Sequence, residues 1–130
     1  VPVNKLEALL YGLASVNGWS NPDAESFQIN NPLLIQNYSL PGKNEIDEKG
    51  RRVFRTAASG LHAGLYDLSL KIKGESRAGI KRDDLLENLL RVYNVIEPGG
   101  QQAVVKFLRR ALKDQNIKVE TPLAYFREEN

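Results

Sequence analysis

The chain has 130 residues, 18 Lys plus Arg against 16 Asp plus Glu, and a formal net charge of +2; its 42% hydrophobic share is too rich for a disordered chain. The length suits one domain around one core, so 1–130 is read as a single unit. Having no Cys and only one His, His62, it excludes disulfides, thiolate metal sites, cysteine nucleophiles and a histidine-rich metal centre within one chain.

The first helix is expected over 5–17. Leu6, Leu9, Leu10 and Leu13 recur at the three-and-four spacing of one helix face. Asn4 and Glu7 form a capping-box pair at its start, and Gly18 is a natural terminator. Over 19–52 the periodicity disappears into turn signals: Ser20-Asn21-Pro22-Asp23, Asn30-Asn31-Pro32 and Pro41-Gly42-Lys43-Asn44. An irregular stretch this long inside a compact domain is often functional. Residues 45–54 can fold back as a small hairpin about Glu48-Lys49-Gly50, with Ile46 and Val53 as apolar partners.

A second helix starts from a cap at Thr56 or Ser59, buries Leu61, Leu65, Leu68 and Ile72, and ends at Gly74. After a polar link at 75–79, a third helix presents Leu85, Leu86, Leu89, Leu90 and Tyr93, with Asp83 and Asp84 at its positive start. Pro98-Gly99-Gly100 is read as a break. The fourth helix, roughly 101–113, buries Val104, Val105, Leu108, Ala111 and Leu112. Its other face carries Lys106, Arg109, Arg110 and Lys113, either a solvated face or a docking face for an acidic partner such as teichoic acid, lipid headgroups or nucleic acid. Ile117, Val119, Leu123, Tyr125 and Phe126 make the tail a packing segment. The fold class is therefore mainly α, α+β at most, with a long irregular loop or small hairpin after the first helix.

The order of the loop residues carries more than their composition. Asn17-Gly18-Trp19 closes the first helix and Asn30-Asn31-Pro32 follows. Then come Phe54, Gly60-Leu61, Leu65, Asp67-Leu68, Lys71, Gly74 and Ser76, and later Leu85, Leu89 and Tyr93 before a Gly-broken turn and an amphipathic helix. Over about 6–113 this order resembles the lysozyme-like superfamily of phage and bacterial muramidases and lytic transglycosylases. In many members a helix ends in Glu-Gly-Trp or Glu-Gly-Phe. An Asn-Asn-Pro-Gly-Asn segment comes next, then a Phe, a Gly and an Ala/Leu-x-x-Asp-Leu helix. The resemblance implies a single lysozyme-like domain that takes a cell-wall glycan, in an extracytoplasmic or phage-associated setting.

Two departures qualify that expectation. Asn17 stands where the family carries its catalytic glutamate. A general acid must hold and release a proton near the operating pH, and an amide does neither. Leu33-Leu34 stands where the family has Gly-Asn, placing bulky apolar side chains in a polar turn. Both point to a glycan-binding protein with impaired cleavage. A second reading keeps the enzyme and moves the acid to Glu25, Glu45, Asp47 or Glu48, all in the loop region; glycosidases need two carboxyl groups about 5 to 10 Å apart. A third reading is a structural or interaction module that uses the scaffold for shape alone.

Trp19 can stack on a sugar ring or anchor the core where the first helix ends. Tyr38 and Tyr11 are open to the same two readings. Asn30 and Asn31 can bond a glycan, as the resemblance implies, or form an Asx-turn into Pro32. His62 is read as a surface residue, and Gly99-Gly100 as a plain turn. No metal-ligand spacing occurs, so no metal and no cofactor are expected. No apolar run approaches a membrane span. The mild positive charge does not call for nucleic acid, whose usual footprint is a clustered basic face. With no Met, the sequence is expected to be a processed mature form or a trimmed piece, which leaves room for a signal peptide before Val1.

Overall fold

The computed structural model describes residues 4–37 and 45–127. Within them the protein is mainly helical. The helices are α1 Lys5–Val16, α2 Glu25–Gln28, α3 Ala57–Lys73, α4 Leu86–Val92, α5 Pro98–Leu112 and α6 Ala124–Arg127. Among the described residues, strand pairing is limited to isolated antiparallel bridges, Gln36 with Arg51, Ile46 with Arg52 and Leu85 with Pro122. No described helix is long and apolar enough to cross a membrane.

α1 is the central element. Asn4 Oδ1 accepts the Glu7 N–H at 2.7 Å, which satisfies one of the orphan amides of the first turn. The apolar spacing is filled in by small residues, so Ala8, Leu9, Leu10, Gly12, Leu13 and Ala14 are all buried. The helix packs chiefly on α5, and also on α3 and α6. Gly12 allows the α5 approach: a Cβ there would stand 3.3 Å from the Phe107 ring. Leu9, Leu13, Leu68, Leu89, Leu90 and Leu108 are sealed in the shared core, each worth about 1.5–3 kcal/mol of burial.

α5 begins three residues before the sequence reading placed it. Pro98 does not break the chain but occupies the first turn, where its missing N–H costs nothing. The first amides of α4 find their partners outside the helix. The N–H groups of Leu86 and Glu87 donate to the carbonyls of Thr121 and Val119 at 2.8 Å each, so the tail caps this helix. Asp84 Oδ2 instead accepts the Lys81 N–H. The tail packs as expected, burying Ile117, Leu123 and Phe126. Arg127 Nη1 donates to the carbonyls of Ile72 at 2.6 Å and Arg82 at 2.7 Å, closing the end of α3.

The buried stripe of α3 differs from the expected leucine row. Leu61 and Leu65 are only partly buried. The sealed face is Gly60, Gly64, Asp67, Leu68, Lys71 and Ile72. Gly60 is required by contact: a Cβ there would fall 1.7 Å from the Asn30 carbonyl oxygen. The loop therefore rests directly on the helix backbone.

The loop is held by one side chain above all. Asn31 is fully buried. Its Nδ2 donates to the carbonyls of Ile35 (3.1 Å) and Arg52 (2.9 Å), and its Oδ1 accepts the Ile35 N–H (2.9 Å). The fold-back at 45–54 is present, but Ile46 faces Arg52, and Val53 donates its N–H to the Glu45 carbonyl. Asp47 Oδ1 shapes the turn by accepting the N–H groups of Lys49 and Arg51.

Candidate functional site

A cleft of about 310 Å³ opens between the end of α1, the loop 33–36, α3 and the end of α4. Asn17 forms one side. It caps α1, its Nδ2 donates to the Pro32 carbonyl at 2.9 Å, and its own carbonyl accepts the Ser26 hydroxyl at 2.8 Å. The opposite wall is Val92, Tyr93 and Asn94, and the floor is Asp67 and Lys71. Leu33 and Ile35 turn their side chains into the core, with Leu34 between them at the cleft edge and partly exposed. Their bulk therefore packs inward and leaves the cleft open.

Among the described residues, two of the four non-glycine positions with left-handed backbone, Leu34 (φ 54) and Asn94 (φ 63), line this one cleft. Asn tolerates that region through its short polar side chain, but for Leu it costs about 1–2 kcal/mol. Strain of this kind tends to persist where a site needs it.

The floor is a buried polar triad. Asp67 and Lys71 stand one turn apart on α3, with Lys71 Nζ donating to Asp67 Oδ2 at 2.5 Å. The Tyr93 hydroxyl donates to the same oxygen at 2.6 Å, and the Lys71 ammonium lies 4.8 Å from the Tyr93 ring centroid. Burial, with the Asp67 carboxylate next to it, pushes the Tyr93 phenol well above its ordinary range. The phenol is thus a lasting donor. Asp67 is the one carboxylate that lines the cleft among the described residues.

The loop acids sit elsewhere. Glu25 and Asp47 share Arg51: its Nη2 is 3.2 Å from Glu25 Oε1 and 2.8 Å from Asp47 Oδ2. Lys49 also pairs with Glu25 at 3.0 Å. Hydrogen bonds from Lys49 and then Arg51 hold the Glu25 carboxyl below its usual range. For Asp47, burial pushes upward, but the Arg51 and Lys49 hydrogen bonds outweigh it and the net direction is down. A general acid needs the opposite shift. Glu45 and Glu48 are exposed. None of the four lines the cleft.

Of the residues singled out in the sequence, Asn17 is the one the described structure brings to the cleft. Asn31 has both amide hydrogens and its oxygen engaged in the loop, and Asn30 donates to the Phe54 carbonyl at 2.9 Å. Trp19 is half-buried, 6.5 Å from the exposed Phe27 ring, in neither the core nor the cleft. Tyr38 lies outside the described residues. His62 is exposed. On the basic face, Arg109 Nε is taken by the Ile117 carbonyl, while Lys106, Arg110 and Lys113 face solvent. Among the described residues no three His, Cys, Asp or Glu side chains converge as a metal site would require.

Asp67, Lys71 and Tyr93 were not singled out as site residues. The signal was the α3 register: 60, 64, 67, 68, 71 and 72 follow one helical face, and two of those positions carry charges. In comparisons with protein-family models, curated proteins and solved structures, nothing matches this chain.

Proposed function

We propose that the cleft binds a cell-wall type oligosaccharide without cleaving it. The observation that carries this reading is the place of Asn17. The residue standing where the resemblance implies a proton-donating glutamate caps α1 and opens on the cleft. Amide groups suit sugar recognition because each offers donors and an acceptor, and Asn17, Gln36 and Asn94 bring three to one cleft. Leu34 and Val92 add apolar surface for the faces of sugar rings. The left-handed backbone at Leu34 is the geometry that the Asn of the resembled motif takes readily.

The lack of cleavage follows from the acids. Asn17 has no proton to give, the Glu25 and Asp47 carboxyls are held by cations away from the cleft, and Asp67, ion-paired with Lys71, is a single carboxylate where glycosidases use two. The test is a titration of ¹⁵N-labelled protein with N-acetylglucosamine tetramer. Shifts confined to the residues that line the cleft, Asn17, Leu34, Gln36 and Asn94 among them, are expected. Unmoved cleft amides at millimolar sugar would sink the binding reading. Clearing of a cell-wall suspension by the unaltered protein at muramidase rates would sink the claim that it does not cleave. Gain of clearing by Asn17→Glu would support the shared geometry.

A further inference from the structure

Asp67 and Lys71 are almost completely buried, 2% and 3% exposed, yet both line the cleft. A buried ion pair is seldom worth more to stability than a packed apolar pair of the same size, so its place in a cleft floor invites a binding role. Both of the carboxylate's bonds fall on Oδ2, from Lys71 and from Tyr93. Oδ1 has no hydrogen bond among the described residues, and every sealed side-chain oxygen or nitrogen has a partner, so Oδ1 is open to the cleft. Lys71 spends one of its three donors on Asp67. The floor therefore sets one open acceptor beside an ammonium that makes no other hydrogen bond among the described residues.

We infer that this pair reads a vicinal diol: one sugar hydroxyl donates to Asp67 Oδ1, and the hydroxyl on the adjacent carbon accepts from Lys71 Nζ. The inference rests on the glycan reading above. The pair is charge-balanced, which favours a neutral polyol over an anion, which would face Asp67, or a cation, which would face Lys71. A sugar acetamido group fits poorly. Its N–H and C=O point in opposite directions across a trans amide and cannot both reach two groups joined through Oδ2. Tyr93 secures the other oxygen, so Oδ1 is the one offered to the ligand.

This selects one end of the glycan. In a 1,4-linked N-acetylglucosamine chain, internal sugars have position 2 acetamido-substituted and position 4 in the linkage. Adjacent free hydroxyls occur only at positions 3 and 4 of the non-reducing terminal sugar. A lactyl ether at position 3, as in a muramic acid residue, removes them. The cleft thus takes a non-reducing end that carries N-acetylglucosamine. A volume of about 310 Å³ is at the small end for ligand sites and suits a chain end.

The experiment is calorimetric titration of the unaltered protein with N-acetylglucosamine tetramer and with the same tetramer O-methylated at position 4 of its non-reducing sugar. At least tenfold weaker binding of the capped sugar is expected. Asp67→Asn, checked for folding by circular dichroism, should bind the free tetramer about tenfold more weakly and be indifferent to the cap. Equal affinity of the unaltered protein for both sugars overturns the diol inference and leaves glycan binding standing. Binding of neither overturns both. The comparison of the two sugars decides the matter even if the variant does not fold.

Discussion

Tyr93 donates its hydroxyl proton to Asp67 Oδ2 at 2.6 Å, joining the end of α4 to the middle of α3 across 26 residues of chain. The bond lies at the floor of the cleft. It ties the wall that carries Asn94 to the helix that carries Lys71. Fold and site thus share one interaction, and disturbing it has consequences for both.

The first consequence is alkaline. Burial and the Asp67 carboxylate raise the Tyr93 phenol above its unfolded value, about 10. A raised folded-state value means the stabilisation is complete below about pH 10 and is lost as pH climbs toward the folded value. Of the five tyrosines, Tyr93 is therefore expected to stay protonated until the protein unfolds. Absorbance at the phenolate band should show the same native-state amplitude for the unaltered protein and for Tyr93→Phe. An amplitude larger by one tyrosine in the unaltered protein would refute this.

Lys71→Met strands a buried carboxylate and is expected to cost about 3–5 kcal/mol in urea unfolding. Asp67→Asn combined with Lys71→Met removes both charges and leaves Tyr93 a carbonyl oxygen to bond. The double variant should recover a large part of the loss. If the two changes instead add, the pair is not coupled and the buried triad contributes nothing as a unit.

These buried charges show where the sequence was readable and where it was not. α1 was legible because Leu6, Leu9, Leu10 and Leu13 keep helical period and Asn4 caps them, which are local facts. The end of α1 was legible from Gly18, and Asn17 caps the helix there. Asp67 and Lys71 stand in the ordered motif, but nothing local in the sequence marks them as buried, since charged residues on a helix normally face water. Their burial depends on Tyr93, which only the folded chain brings to them. Asn31 was open to a turn or a ligand role for the same reason: one of its partners is the Arg52 carbonyl, 21 residues on. Pro98 was read as a break because Pro at a helix start and Pro after a helix end look alike without the flanking geometry.

Gly60→Ala tests the contact that seats the loop. The added Cβ would meet the Asn30 carbonyl oxygen at 1.7 Å, and the atom in the way is backbone, so the loop or the helix must move. A loss of about 3 kcal/mol is expected, the upper end of ordinary overpacking. Shifts of the Asn31 and Leu33 amides should accompany it. Gly99→Ala is the control. Open space surrounds a Cβ there, near the start of α5, so stability should be unchanged or rise by about 0.4–1 kcal/mol. A Gly60→Ala protein as stable as the unaltered one would show that the loop does not rest on α3.

Asp47→Asn separates charge from turn geometry. The Asn carbonyl oxygen can still accept the N–H groups of Lys49 and Arg51, so the turn survives. The ion pair with Arg51, 2.8 Å in the native protein, is lost. Asp47 is depressed in the folded state, because the Arg51 and Lys49 hydrogen bonds outweigh burial. Its contribution is thus present above the unfolded value of about 3.9 and disappears as pH falls through the folded value. At neutral pH the variant should be less stable by on the order of 1 kcal/mol, the net scale of one ordinary hydrogen bond. The gap between the two melting curves should close in acid, well below pH 4. A gap that stays constant from neutral pH into acid would mean that Asp47 acts through the turn alone and that its charge is idle.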